Sequence, residues 1–139
     1  MIKKLKLLII CSLLALSFVQ PVSAEGETVT VKVKLTNVEL VESKGMASNW
    51  KTEIYVNEKS IKEGNTVKLT LKSTDSVKLK AVAKEQDKQP SSGSKTSSVK
   101  LSSFKEKTNE TLNFRVSKGT NSDKYAKWKV KFTIVKSSS

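Results

Sequence analysis

Tyr125-Ala126-Lys127-Trp128-Lys129-Val130-Lys131-Phe132-Thr133-Ile134-Val135 is the stretch that decides the fold class. Ala126, Trp128, Val130, Phe132 and Ile134 alternate with Lys127, Lys129 and Lys131. Period two sends successive side chains to opposite faces of an extended chain, so the stretch predicts a β-strand with one buried face and one lysine face. The same alternation recurs upstream. Val29, Val31, Val33 and Leu35 alternate with Thr30, Lys32 and Lys34. Val38 and Leu40 then fall on the opposite parity, which predicts a β-bulge near Thr36-Asn37. Trp50, Thr52, Ile54 and Val56 make a second strand, and Asn57-Glu58-Lys59 a tight turn into a short piece around Ile61. Val67, Leu69 and Leu71, then Val77, Leu79, Ala81 and Ala83, give two more strands joined by a turn at residues 73–76. Val99 and Leu101 restart the pattern, and Leu112, Phe114 and Val116 carry it toward the last strand.

Seven or eight strands with one apolar face each, and no sustained helical period, predict an all-β domain. Two antiparallel sheets packed face to face form the economical solution, with a barrel as the alternative. Residues 86–97 hold Pro90, Gly93 and four serines with no strongly apolar residue, and read as a long loop. Residues 117–124, with Gly119, read as a second polar loop. The sandwich is expected over residues 25–136, with 137–139 a short tail.

Residues 1–24 set the location. Lys3, Lys4 and Lys6 precede an apolar run of 13 residues, Leu7 to Val19, and Val22 and Ala24 sit at −3 and −1 of a cut before Glu25. This is the pattern of a cleaved secretory signal peptide, and the run is shorter than the ~20 residues of a spanning helix. Ile10 before Cys11 is not the small residue that a lipid-attachment site requires. Removal of the signal takes away three lysines and the single cysteine, so the net charge falls from +13 to +10. The lysine-rich, cysteine-free exported chain resembles in style those of low-GC Gram-positive bacteria.

The charge is carried by lysine. Of 26 basic residues only Arg115 is arginine. Lysine is a hydrated point charge, suited to diffuse attraction to polyanions and not to bidentate readout of bases or phosphates. Lys32 and Lys34, Lys127, Lys129 and Lys131, and Lys68, Lys72, Lys78 and Lys80 all take outward positions. The last four are expected on one sheet surface if their two strands form a hairpin. Many acids, Glu58, Glu63, Asp75, Glu106, Glu110 and Asp123, read as turn residues that do not neutralise these faces. Lysine on strands also discourages edge-to-edge pairing and keeps a domain soluble, so the faces carry a bland reading beside the functional one.

Catalysis is hard to assemble from this composition. The chain has no histidine, and after cleavage no thiol, which removes the usual proton shuttle and the commonest zinc ligands. Ser91, Ser92 and Ser94 beside Lys95 lack the apolar surroundings that would lower a lysine pKa. Glu85 and Asp87 share a face as a carboxylate pair, but Lys84 and Lys88 flank them and solvated ion pairs are the simpler reading. No catalytic, metal or cofactor site is expected. Trp50 and Tyr55 are candidate stacking platforms, with core packing the alternative for Trp50 and a cross-strand pair for Tyr55. Trp128 reads as core.

The order of strands and loops resembles a C2-type β-sandwich. Val31 to Leu40 resembles the opening strand, Lys51-Thr52-Glu53-Ile54-Tyr55-Val56 the second, and Leu79 to Asp87, then 88–97, then Val99-Lys100-Leu101 the elements around the third loop. The resemblance implies membrane-headgroup or protein binding, often through calcium. The chain departs from that pattern, because residues 42–49 offer only Glu42, and the third loop only Glu85 and Asp87, where calcium takes 6–8 oxygen ligands. The reading is therefore a secreted, non-enzymatic binding module. Its partner is an anionic wall polymer, a lipid headgroup or released nucleic acid bound without sequence readout. The alternative is a structural or interaction domain whose partner is another secreted protein.

Overall fold

The computed structural model describes residues 27–119 and 121–138. The expected signal peptide, Cys11 and the cut before Glu25 lie outside the described residues. Eight strands follow in order: β1 (Thr28–Lys44), β2 (Trp50–Val56), β3 (Lys59–Ile61), β4 (Thr66–Lys72), β5 (Ser76–Glu85), β6 (Ser92–Lys100), β7 (Lys107–Lys118) and β8 (Asn121–Ser138). A 3-10 turn, Leu101–Ser103, joins β6 to β7. The strands form two four-stranded antiparallel sheets, ordered β4-β1-β8-β7 and β3-β2-β5-β6. The chain is thus a β-sandwich, as the alternation predicts.

The apolar parities face each other across the interior. Val31, Val33 and Leu35 of β1, Val56 of β2, Val77 and Leu79 of β5, and Phe132 and Ile134 of β8 are fully buried or nearly so. The expected bulge is present: Leu35 pairs with Phe132 but Asn37 with Lys131, leaving Thr36 as the extra residue. A second bulge leaves Val41 unpaired between Leu40 and Glu42. These two bulges turn the far half of β1 away from the core, and Leu40 is accordingly 36% exposed.

Four expectations are corrected. First, residues 86–97 are not one long loop. Residues 92–97 belong to β6, which pairs with β5 from Ser76↔Lys100 to Lys84↔Ser92. An edge strand that turns Ser92, Ser94, Thr96 and Ser98 outward needs no apolar pattern, because backbone pairing on one side and β7 beneath hold it in place. Second, β4 and β5 do not form a hairpin. β4 pairs with β1 and β5 with β2 and β6, and the turn at residues 73–75 carries the chain from one sheet to the other. Third, residues 117–124 lie mostly in strands, because β7 and β8 pair as a hairpin up to Lys118↔Asn121. Ser117, Gly119, Asp123 and Lys124 are exposed there, so their polarity fits a strand end as well as a loop. Fourth, Ser137 and Ser138 are not a tail but the end of β8, opposite Thr30 and Val29.

Candidate functional site

The outward face of the β4-β1-β8-β7 sheet is built row by row from the strand registers. One row runs Lys68–Lys32–Val135–Lys107 across all four strands. The next runs Thr66–Lys34–Thr133–Asn109. Lys131 then lies between Asn37 and Thr111. Lys32 and Lys68 oppose each other directly, about 5 Å apart at the backbone, an arrangement that costs stability in a sheet. Among the described residues, no carboxylate makes an ion pair with Lys32, Lys34, Lys68, Lys107 or Lys131. Val135 sits in the middle of the row, 40% exposed.

Toward the other end of the same face the charge is compensated. Glu39 lies opposite Lys129 and Glu42 opposite Lys127. Glu42 pairs with Lys127 at 3.5 Å and accepts a 2.6 Å hydrogen bond from the Tyr125 hydroxyl. That bond, ahead of Lys127, holds the Glu42 carboxyl below its ordinary value and raises the Tyr125 phenol. Arg115 stacks on the Tyr125 ring at 4.1 Å. The sole arginine is thus packed on a neighbouring ring of its own sheet. Lys72 lies at the opposite corner, across from Thr28.

Because β4 and β5 lie in different sheets, the lysine cluster expected on one hairpin is split. Lys68 and Lys72 join the face just described, whereas Lys78 and Lys80 project from the other sheet. There Tyr55, Lys80 and Thr96 form one cross-strand row, with Lys78 and Ser98 in the adjacent one. Together with Glu58 they line a shallow depression of about 670 Å³. Beside it, Glu53 pairs with Lys84 at 3.4 Å and with Lys51 at 3.7 Å. Partial burial pushes the Glu53 carboxyl up, but Lys84 and Lys51 outweigh it and hold the group below its ordinary value.

Trp128 is core, 7% exposed, as its parity predicts. Trp50 packs edge-on against it, with ring centroids 5.5 Å apart and planes at 72°. Trp50 is thus a half-buried aromatic partner of Trp128, and the two also line a depression with Ile54, Ile61 and Glu63. Both indole Nε1 atoms are buried without a hydrogen-bond acceptor among the described residues.

The sequence reading missed one site. Glu85 is fully buried at the end of β5, on the parity of Ala83, where its Oε2 accepts a 2.6 Å bond from the Ala47 amide. Its Oε1 lies 3.2 Å from Lys118 Nζ, which is also 2.8 Å from Asp87 Oδ2. The pairing with Lys84 and Lys88 expected for these acids is replaced by a shared clasp on β7. Glu42 likewise stands within β1 and not in a loop, and Glu110 and Asp123 lie in β7 and β8 and not in turns. Among the described residues no group of three acids, histidines or cysteines is placed to hold a metal ion.

No protein-family model matches this chain, and no curated protein matches it in sequence.

Proposed function

We propose that this protein is a secreted, non-enzymatic module that adheres to anionic surfaces through the outward face of its β4-β1-β8-β7 sheet. The observation that carries the reading is the row Lys68–Lys32–Val135–Lys107, flanked by Lys34 and Lys131 and without carboxylate partners among the described residues. Opposed ammonium groups repel one another, and an anionic polymer or headgroup laid across the row relieves that repulsion and releases its own counterions. Wall polyanions, anionic lipid headgroups and extracellular nucleic acid all supply the needed charge. Retention on immobilised polyphosphate or on vesicles rich in anionic lipid is expected to fall steeply between about 50 and 500 mM salt. Changing Lys32, Lys68 and Lys107 together to Gln is expected to abolish most of it. Retention that ignores both salt and these substitutions would overturn the reading.

A further inference from the structure

We infer that the depression on the outward face of the β3-β2-β5-β6 sheet is a separate binding site for an acidic saccharide, a hydroxylated ring that bears a carboxylate or sulfate. The site uses different lysines from the adhesive face and lies on the opposite side of the core, so it does not rest on the reading above.

Its chemistry is mixed in a way that selects the ligand. Tyr55, half-buried, supplies a flat apolar ring edged by a hydroxyl, the kind of surface on which the C–H face of a sugar packs. Lys80 and Thr96 continue its row, and Lys78 and Ser98 lie in the next. Neither Lys78 nor Lys80 makes an ion pair among the described residues, whereas Lys51 and Lys84 on the same sheet share Glu53. Two ammonium groups without a carboxylate partner among the described residues thus meet at the depression. Glu58 lines it as well. A carboxylate there accepts hydroxyl protons but repels a plain polyanion. A neutral sugar leaves the two ammonium groups unused. A ring with hydroxyls and one acidic group satisfies both, with Thr96 and Ser98 able to donate or accept. The volume, about 670 Å³, lies in the range of small-ligand sites.

The site is also held in shape. Asn57 and Glu58 form the two-residue turn between β2 and β3, with φ of 47° and 70°. Asn57 Oδ1 accepts from the Lys78 amide at 2.7 Å, and the Asn57 amide donates to the Lys78 carbonyl at 2.8 Å. These bonds fix the Glu58 turn to the strand that carries both lysines, so little ordering remains to be done on binding.

Calorimetric titration of the purified protein at about 150 mM salt tests the site, where longer-range attraction is screened. The probes are a short oligogalacturonate, a heparin oligosaccharide of equal length, a neutral malto-oligosaccharide and inorganic polyphosphate. At least one acidic saccharide is expected to bind more tightly than the neutral one, and the tighter of the two identifies the acid as carboxylate or sulfate. Lys78→Gln with Lys80→Gln is expected to weaken that binding about tenfold or more, the loss of charge-assisted contacts. Tyr55→Ala is expected to do the same, and if that variant fails to fold, the lysine pair decides alone. Lys32→Gln, Lys68→Gln and Lys107→Gln together should leave saccharide binding within about twofold while removing polyphosphate binding. The proposal is overturned if neither acidic saccharide binds, if the neutral one binds equally well, or if the lysine pair leaves affinity unchanged. It is also overturned if saccharide binding disappears with the triple variant on the opposite sheet.

Discussion

Lys118 Nζ stands 2.8 Å from Asp87 Oδ2 and 3.2 Å from Glu85 Oε1. The bond to Asp87, then that to Glu85, raises Lys118 above its ordinary 10.5, while Lys118 and the Lys88 amide hold Asp87 below its ordinary 3.8. A raised lysine stabilises the fold fully below pH 10.5, and the gain is lost as pH climbs through the folded value. A depressed aspartate stabilises it fully above pH 3.8, and the gain is lost as pH drops through the folded value. The stability lost in Lys118→Met is therefore expected to be constant between these limits and to shrink outside both. Urea midpoints across pH test this, and a difference that drifts through neutrality would refute it. The tryptophan pair supplies a second test. A buried N–H without an acceptor costs about 1–3 kcal/mol. Trp128→Phe removes that donor and keeps a ring, so stability should stay within about 1 kcal/mol, whereas Trp128→Ala should cost about 3–5 kcal/mol. Equal losses in chemical denaturation would show that the N–H is satisfied. Glu85 shows what was legible at this scale. Its inward parity follows Ala83 along β5, but its partner lies 33 residues away, beyond the reach of any local pattern.

Alternation assigns each residue to a face but does not say which strand lies beside it. That is why the core positions of β1, β5 and β8 could be read from the chain while the crossing between sheets from β4 to β5 could not. A turn of the same length and polarity serves a hairpin or a crossing between sheets. β6 was hidden for a different reason: at a sheet edge its outward hydroxyls and single buried Val99 leave no period to detect. Gly93 explains how such a polar strand is seated. A Cβ at this position would lie 2.9 Å from the Arg115 carbonyl oxygen and 2.9 Å from Val116 Cγ2. The oxygen belongs to the β7 backbone, so relief requires moving a strand. Gly93→Ala is expected to cost about 1–3 kcal/mol, the usual toll of overpacking. Ser94→Ala, one residue on and facing outward, should change stability by no more than about 0.5 kcal/mol. Thermal unfolding of the two variants distinguishes this seating from a loosely attached edge, for which both would be silent.

At the scale of the whole molecule, the two sheets place two charged faces back to back across a core about 10 Å thick. That distance exceeds the screening length of about 8 Å at physiological salt, so the faces act independently on ligands in solution. The alternation announced both lysine faces, but only the strand order decides which lysines share one. Lys32, Lys68 and Lys107 come from three strands and meet in one row. Duplex DNA of mixed sequence is a convenient polyanion with which to count their work, since log K falls against log salt by about 0.9 for each phosphate neutralised. Lys32→Gln, Lys68→Gln and Lys107→Gln together should therefore flatten that slope by about 2–3, with each single change contributing about 0.9. Lys78→Gln with Lys80→Gln, on the other face, should leave the slope of the adhesive mode unchanged. Sequence should not matter, because Arg115 is stacked on Tyr125 and no other side chain of the chain offers a guanidinium fork. A slope that survives the triple change, or that falls equally with the pair on the opposite sheet, would mean that net charge alone attracts the polyanion. The row across β4, β1, β8 and β7 would then be a surface without a ligand.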